Sequence, residues 1–170
     1  MNNFDNHIIS LESRDHEYYH PSGEVWQKYS VIDGVLEGEY SEFHANGNIM
    51  KNGIYENGKK QRRWTCWHDN GKIWYINSYL DDILHGECSS YRGDGGIEFK
   101  GEYNNGIKCG EWEINHDNGN RDEHGSFKDG LKDGVWHRYH YETGNKYYES
   151  EFVKDKEVGL KTEYKKWGIH

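Results

Sequence analysis

Apolar and polar positions along this chain follow two periods at once. At short range, aromatic and β-branched residues alternate with polar ones between closely spaced glycines, as in residues 40–44 and 49–55. That two-residue alternation is the signature of half-buried strands. At long range the same side chains return every 24 residues. One column reads Tyr40, Trp64, Cys88, Trp112 and Trp136. A second reads Phe43, Trp67, Tyr91, Asn115, Tyr139 and Tyr164, and a third Val31, Tyr55, Tyr79, Tyr103, Phe127 and Phe152. A fourth, Val25, Ile49, Ile73 and Ile97, gives way to Arg121 and Lys146.

Turn residues keep the same phase. Gly23, Gly47, Gly71, Gly95 and Gly119 fall at intervals of 24, and Gly144 follows at 25, which places one inserted residue in the last unit. Further turn columns run Gly34, Gly58, Asp82, Gly106, Gly130 and Gly38, Arg62, Gly86, Gly110, Gly134, Gly159. Asn-Gly and Asp-Gly pairs recur at both turns of the unit, and such pairs favour tight hairpins with two positive φ angles. Each unit therefore reads as strand, turn, strand, turn. The predicted fold is all-β: an elongated antiparallel meander, solenoid-like, of about six two-stranded 24-residue repeats. Some twelve strands at about 4.8 Å spacing give a body roughly 55–60 Å long. Each unit buries little alone, so stability is expected to come from neighbour interfaces. Residues 1–17 precede the repeat as an arm or cap, and residues 18–170 form the repeat domain. The last stretch, 160–170, reads as a half-unit whose Lys161, Lys165 and Lys166 suit a charged edge strand.

Composition sharpens this picture. Hydrophobic residues make up only 33% of the chain and aromatic residues 15%, so the core rests on Trp and Tyr instead of Leu, Ile and Val. A net charge of -9 disfavours nucleic acid and anionic membranes as partners and favours a basic protein. Three cysteines, none at metal-ligand spacing, fit a reducing compartment. No apolar run approaches the roughly 20 residues of a membrane helix, and the first residues lack a secretory pattern; a cytoplasmic location is expected.

Segments such as GEYSEFHANGNIMKNGIYENGKKQ (38–61) and GVWHRYHYETGNKYYESEFVKDKEVG (134–159) resemble the MORN-repeat variant family, whose units look like G-x-W-x-x-Y-x-x-x-G. MORN stands for membrane occupation and recognition nexus. The resemblance spans about residues 18–168. It implies a non-catalytic repeat protein, and for the bacterial members an immunity protein or antitoxin that neutralises a cognate toxin; the alternative it implies is a general scaffold or a membrane-peripheral repeat protein. This chain departs from the pattern at Arg62, Cys88, Asn115 and residues 121–124.

No catalytic residue, cofactor or metal site is read from the sequence. His44, His68, His116 and His140 share one column, with Arg92 in the gap. Equivalent residues of adjacent units lie two strands apart, roughly 9–10 Å, too far to share a zinc with ligands at about 2 Å. They read as half-buried aromatics packed over turns. Glu37, Glu39, Glu42, Asp81, Asp82, Glu87, Glu111, Asp122, Glu123 and Asp133 read as a solvated acidic face. No serine or cysteine sits in a nucleophile elbow, and the glycines lack the setting of a phosphate loop. The cluster Lys59-Lys60-Gln61-Arg62-Arg63 reads as a solvated turn. Off-pattern positions are where a repeat array has freedom to bind. The predicted partner contacts are accordingly Arg62, Arg63, Asp81, Asp82, Arg121, Asp122, Glu123 and His124.

Overall fold

The structure, a computed structural model, describes residues 13–164. It is one antiparallel sheet of 14 strands that follow chain order, with one place in that order shared by two consecutive strands. The strands are β1 (Ser13–Tyr19), β2 (Val25–Ile32), β3 (Val35–Phe43), β4 (Ile49–Glu56), β5 (Lys59–Trp67), β6 (Ile73–Leu80), β7 (Ile83–Tyr91), β8 (Ile97–Asn104), β9 (Ile107–Asn115), β10 (Arg121–Lys128), β11 (Leu131–Lys132), β12 (Gly134–Tyr139), β13 (Lys146–Val153) and β14 (Lys156–Glu163). β11 and β12 occupy the place of one strand elsewhere, interrupted at Asp133, whose N–H donates to the Ser126 carbonyl at 3.0 Å. The other strand beyond the expected twelve is β1, which pairs with β2 from Ser13 onward. Residues 13–17, grouped with the arm on sequence grounds, are therefore sheet residues; residues 1–12, Lys165 and Lys166 lie outside the described residues.

The two turn types differ, which the Asn-Gly and Asp-Gly pairs alone do not reveal. At one edge of the sheet the turn has two residues, both at positive φ, as at Asn57 (52°) and Gly58 (75°) or Asp129 (53°) and Gly130 (79°). That is the tight hairpin the sequence predicts. At the other edge Asn46 is not at positive φ and only Gly47 is, at 82°. There the Gly47 N–H donates to the His44 carbonyl at 2.9 Å and the His44 N–H to the Asn48 carbonyl at 2.8 Å. This is a type I turn closed by a left-handed glycine, with the bulge such loops carry between Glu42 and Phe43. The Gly38 column, read as a turn, lies inside strands. In the pairing of β4 with β5, Asn52 faces Thr65 and Ile54 faces Gln61, so residues 62–64 oppose Gly53 alone. Arg62 absorbs this bulge at φ 59°. The first strand of the second unit consequently begins at Val35 and not at Tyr40.

The bulge lets the tryptophan fold down onto the backbone of its partner strand. Trp64, Trp112 and Trp136 are each 2% exposed. A Cβ at Gly53, Gly101 or Gly125 would lie 2.1, 2.3 or 2.4 Å from the ring of Trp64, Trp112 or Trp136 respectively. These glycines form a column that the turn analysis passes over, eleven residues before each tryptophan. A lysine covers the outer face of each ring: Lys60 Nζ at 5.0 Å, Lys108 Nζ at 4.1 Å and Lys132 Nζ at 4.0 Å from the centroid. Where the tryptophan is absent its partners change with it. Cys88 faces Asn77 and follows Leu84; Tyr40 stacks on Tyr29 at 6.1 Å and follows Leu36. Phe127 stands edge-on between Trp112 and Trp136, with centroids at 5.8 and 5.0 Å, and Tyr55 does the same for Tyr40 and Trp64 at 5.6 and 4.9 Å. Each such contact adds about 0.5–1.5 kcal/mol beyond burial.

Units are also joined along both edges. At the two-residue turns a backbone N–H donates to a carbonyl of the preceding turn: Gly58 to Leu36, Asp82 to Lys60, Gly106 to Leu84 and Gly130 to Lys108, at 2.7–3.0 Å. At the other edge the donors are side chains. Nε2 of His20, His44, His68 and His116 meets the carbonyls of Phe43, Trp67, Tyr91 and Tyr139 at 3.0, 3.1, 3.3 and 3.2 Å. A carbonyl only accepts, so Nε2 carries the proton. Asn46, Asn70 and Asn118 donate in the same way to Asp69, Gly93 and Tyr141. The histidine column therefore does more than pack over turns; it links each unit to the next. Arg92 and Asp94 break the pattern, because Arg92 bonds the Ile97 carbonyl of its own hairpin at 3.0 Å and a carboxylate cannot donate.

Two substitutions test these contacts. Gly101→Ala is expected to cost about 1–3 kcal/mol through overpacking against Trp112, whereas Gly93→Ala, with nothing within 4 Å of its added Cβ, changes stability little; urea unfolding of both variants is the measurement. Asp94→Asn supplies the missing donor and is expected to raise the urea midpoint, by about 0.5–1 kcal/mol of added stability.

Candidate protein-binding surface

Side chains on paired strands in register share a face, so the register sorts the surface. The tryptophan face carries Tyr40, Trp64, Cys88, Trp112 and Trp136. The opposite face carries, across neighbouring strands, Thr65, Ile76, Ser89, Lys100, Glu113, His124, His137 and Glu149. In the middle of this second face lies a cleft of about 520 Å3. Ile76, Tyr91 and Ile97, all half-buried, contribute apolar walls toward one end, and Glu87, Glu102 and Glu111 stand toward the other.

The charges of this cleft are unequal in their compensation. Glu113 receives Arg121 at 2.8 Å and Lys100 at 3.5 Å. Burial opposes its ionisation, but Asn115, Arg121 and Lys100 outweigh that and hold its carboxyl below the usual range. Glu87 and Glu102 lie directly opposite each other on β7 and β8, both exposed, and no cation pairs with either among the described residues. Like charges placed opposite across a sheet are destabilising. Glu111 has only His124, with Nε2 at 3.9 Å.

Of the predicted contact residues, the structure brings Arg63 and His124 to this cleft. The other six are elsewhere, and most have partners within the chain. Arg62 pairs with Glu56 at 2.9 Å. Asp81 accepts from Gln61 Nε2 at 2.6 Å, and Asp82 Oδ1 accepts from the Lys60 N–H at 2.8 Å. Arg121 bonds Glu113 and lies over the Tyr139 ring at 5.4 Å. Asp122 is 3.5 Å from His116. Glu123 bridges Lys132 and Arg138, each at 2.9 Å. Departure from the repeat consensus thus often marks a substitute structural contact. Glu102, which the sequence reading did not single out, belongs to the column Ile54, Ser78, Glu102, Ser126 and Glu151, and Glu87 to the column Glu39, Arg63, Glu87, Glu111 and Val135. Reading the two columns against each other across the hairpin is the signal that would have found the pair.

A second, smaller concavity lies on the tryptophan face. It holds about 490 Å3 and is bordered by Met50, Cys66, Trp67, His68, Trp74 and Tyr75. Trp74 is 51% exposed and tilts over His68 with centroids at 5.7 Å. No group of three or more His, Cys, Asp or Glu residues that could hold a metal occurs among the described residues. All three cysteines are free; burial pushes the Cys88 thiol up to about 11.

Residues 36–57 and 63–81 match the MORN repeat variant family. These two stretches are therefore similar to MORN repeats, and the 24-residue register of the chain continues beyond them in both directions. Comparison with curated proteins gave no match. Among solved structures, one described as accessory secretory protein 1, 2 and 3 in Streptococcus pneumoniae is similar at 17% identity and a TM-score of 0.34. The similarity covers 59% of this chain and 19% of that one, so the matched part spans about a fifth of the larger chain.

Glu123 gives a pH prediction. Burial alone would raise its pKa, but Lys132 and Arg138 hold it below the ordinary carboxylate value. A carboxyl depressed in the folded state adds stability above its unfolded pKa and loses it as pH falls through the folded pKa. Glu123→Gln is therefore expected to be less stable at neutral pH and to lose less on acidification than the parent, read as thermal midpoints across the acid range.

Proposed function

We propose that this array of MORN-type repeats is a non-catalytic binding protein whose partner is a toxin domain, which it neutralises in the cytoplasm. The observation that carries the reading is the single-layer sheet, whose second face bears an open cleft with uncompensated carboxylates. A net charge of -9 adds long-range attraction for a basic partner. The residues that resemble catalytic groups have other work: the histidine column links units, and Glu113 and Glu123 sit in ion pairs.

The experiment is co-expression with the protein encoded next to this chain's gene, followed by affinity purification and a growth assay. A complex that withstands washing, together with protection from that protein's toxicity, is the expected result. Absence of both would defeat the toxin assignment, and strong salt-sensitive flotation with anionic vesicles would move the reading to a membrane-peripheral scaffold.

A further inference from the structure

The cleft on the second face has a feature that folding alone does not explain. Glu87 and Glu102 face each other across β7 and β8 without a cation, and Glu111 adds a third carboxylate whose side chain is 80% exposed. In the neighbouring hairpins the same two columns avoid this conflict: Arg63 faces Ser78, Glu111 faces Ser126 and Glu39 faces Ile54. Only Glu87–Glu102, among these pairs, sets like charges together. One rung along the strands Ser89 faces Lys100, whose ammonium lies 3.5 Å from Glu113; Ile76 stands next to Ser89, and the half-buried Tyr91 and Ile97 follow at the next rung as an apolar wall. The face has no covering layer among the described residues, and the chain's net charge is -9.

We propose that this cleft is the docking site for a basic segment of the partner protein, with an arginine or lysine whose charged head lies between Glu87 and Glu102 and whose stem crosses Ser89 toward Ile76, while an apolar side chain of the same segment lies against Tyr91 and Ile97. An arginine fits both requirements: its guanidinium donates to two carboxylates at once and its stem is apolar. Docking removes the repulsion between the two glutamates, so part of the affinity comes from relief of a conflict present in the free protein. The assignment rests on the protein-binding reading above and specifies its site.

The test uses the full chain and a short oligo-arginine peptide, titrated by calorimetry at low salt, with spermidine as a non-peptide cation. The variants are Glu87→Gln with Glu102→Gln together, and Glu39→Gln with Glu151→Gln as a pair of equal charge change elsewhere on the same face. The expected result is binding to the parent chain that weakens with salt, weakens at least about tenfold in the Glu87/Glu102 variant, and is nearly unchanged in the control variant. The Glu87/Glu102 variant is also expected to unfold at a higher midpoint, because the repulsion is gone; that result shows the lost binding is not lost folding. Equal weakening in both variants, no change in either, or spermidine binding as tightly as the peptide each overturns the proposal. If the neighbour-encoded protein co-purifies equally with the parent and the Glu87/Glu102 variant, the docking site is wrong and the protein-binding reading stands. If the peptide binds as expected and no complex with that protein forms, the toxin assignment fails and the cleft stands.

Discussion

The fold depends on an indole ring lying flat against a bare stretch of backbone. Trp64, Trp112 and Trp136 reach Gly53, Gly101 and Gly125 because those positions have no Cβ and because a bulge on the tryptophan strand turns the ring inward. A single-layered sheet lacks a second layer to bury its apolar face, and this arrangement supplies burial from within the sheet itself. Lysine stems and ammonium groups close the outer side, and Tyr or Phe rings fill the gaps between tryptophans. The chain achieves 2% exposure for three tryptophans with 33% hydrophobic residues because each large side chain is enclosed locally, by backbone and cation, and not by a common core.

The sheet and its period were legible because glycine and aromatic columns recur in phase. What was not legible was the meaning of each glycine. Gly58, Gly47 and Gly38 look alike in sequence, yet one sits in a two-residue hairpin, one closes a type I turn and one lies inside a bulged strand. Those differences depend on how two strands pair, which a single column does not record. The same limit governs the surface. Asp81, Asp82, Arg121 and Glu123 stand out from the pattern, but their partners, Gln61, Lys60, Glu113 and Lys132, are distant in sequence or on another strand. The Glu87–Glu102 pair is inconspicuous in either column and appears only when the register sets the columns side by side.

The array is uneven along its length. Tyr40–Tyr29 and Cys88–Asn77 replace two of the tryptophan–glycine contacts, and Arg92 with Asp94 removes both side-chain links at one junction. The acidic cleft lies beside Cys88 and Arg92, between β5 and β10. Repeat arrays gather stability from neighbour contacts, so a junction with fewer of them is the place where local opening costs least.

The histidine and asparagine links have a direction. In each, the side chain of one unit donates a hydrogen bond to a backbone carbonyl of the following unit. Every residue owns such a carbonyl, so the receiving unit needs no particular amino acid there. Compatibility along this edge is thus decided by the donor, while the tryptophan–glycine contacts still demand matched residues on adjoining strands. A unit that keeps its His and Asn can make these edge links to any following unit, whatever that unit displays on its second face.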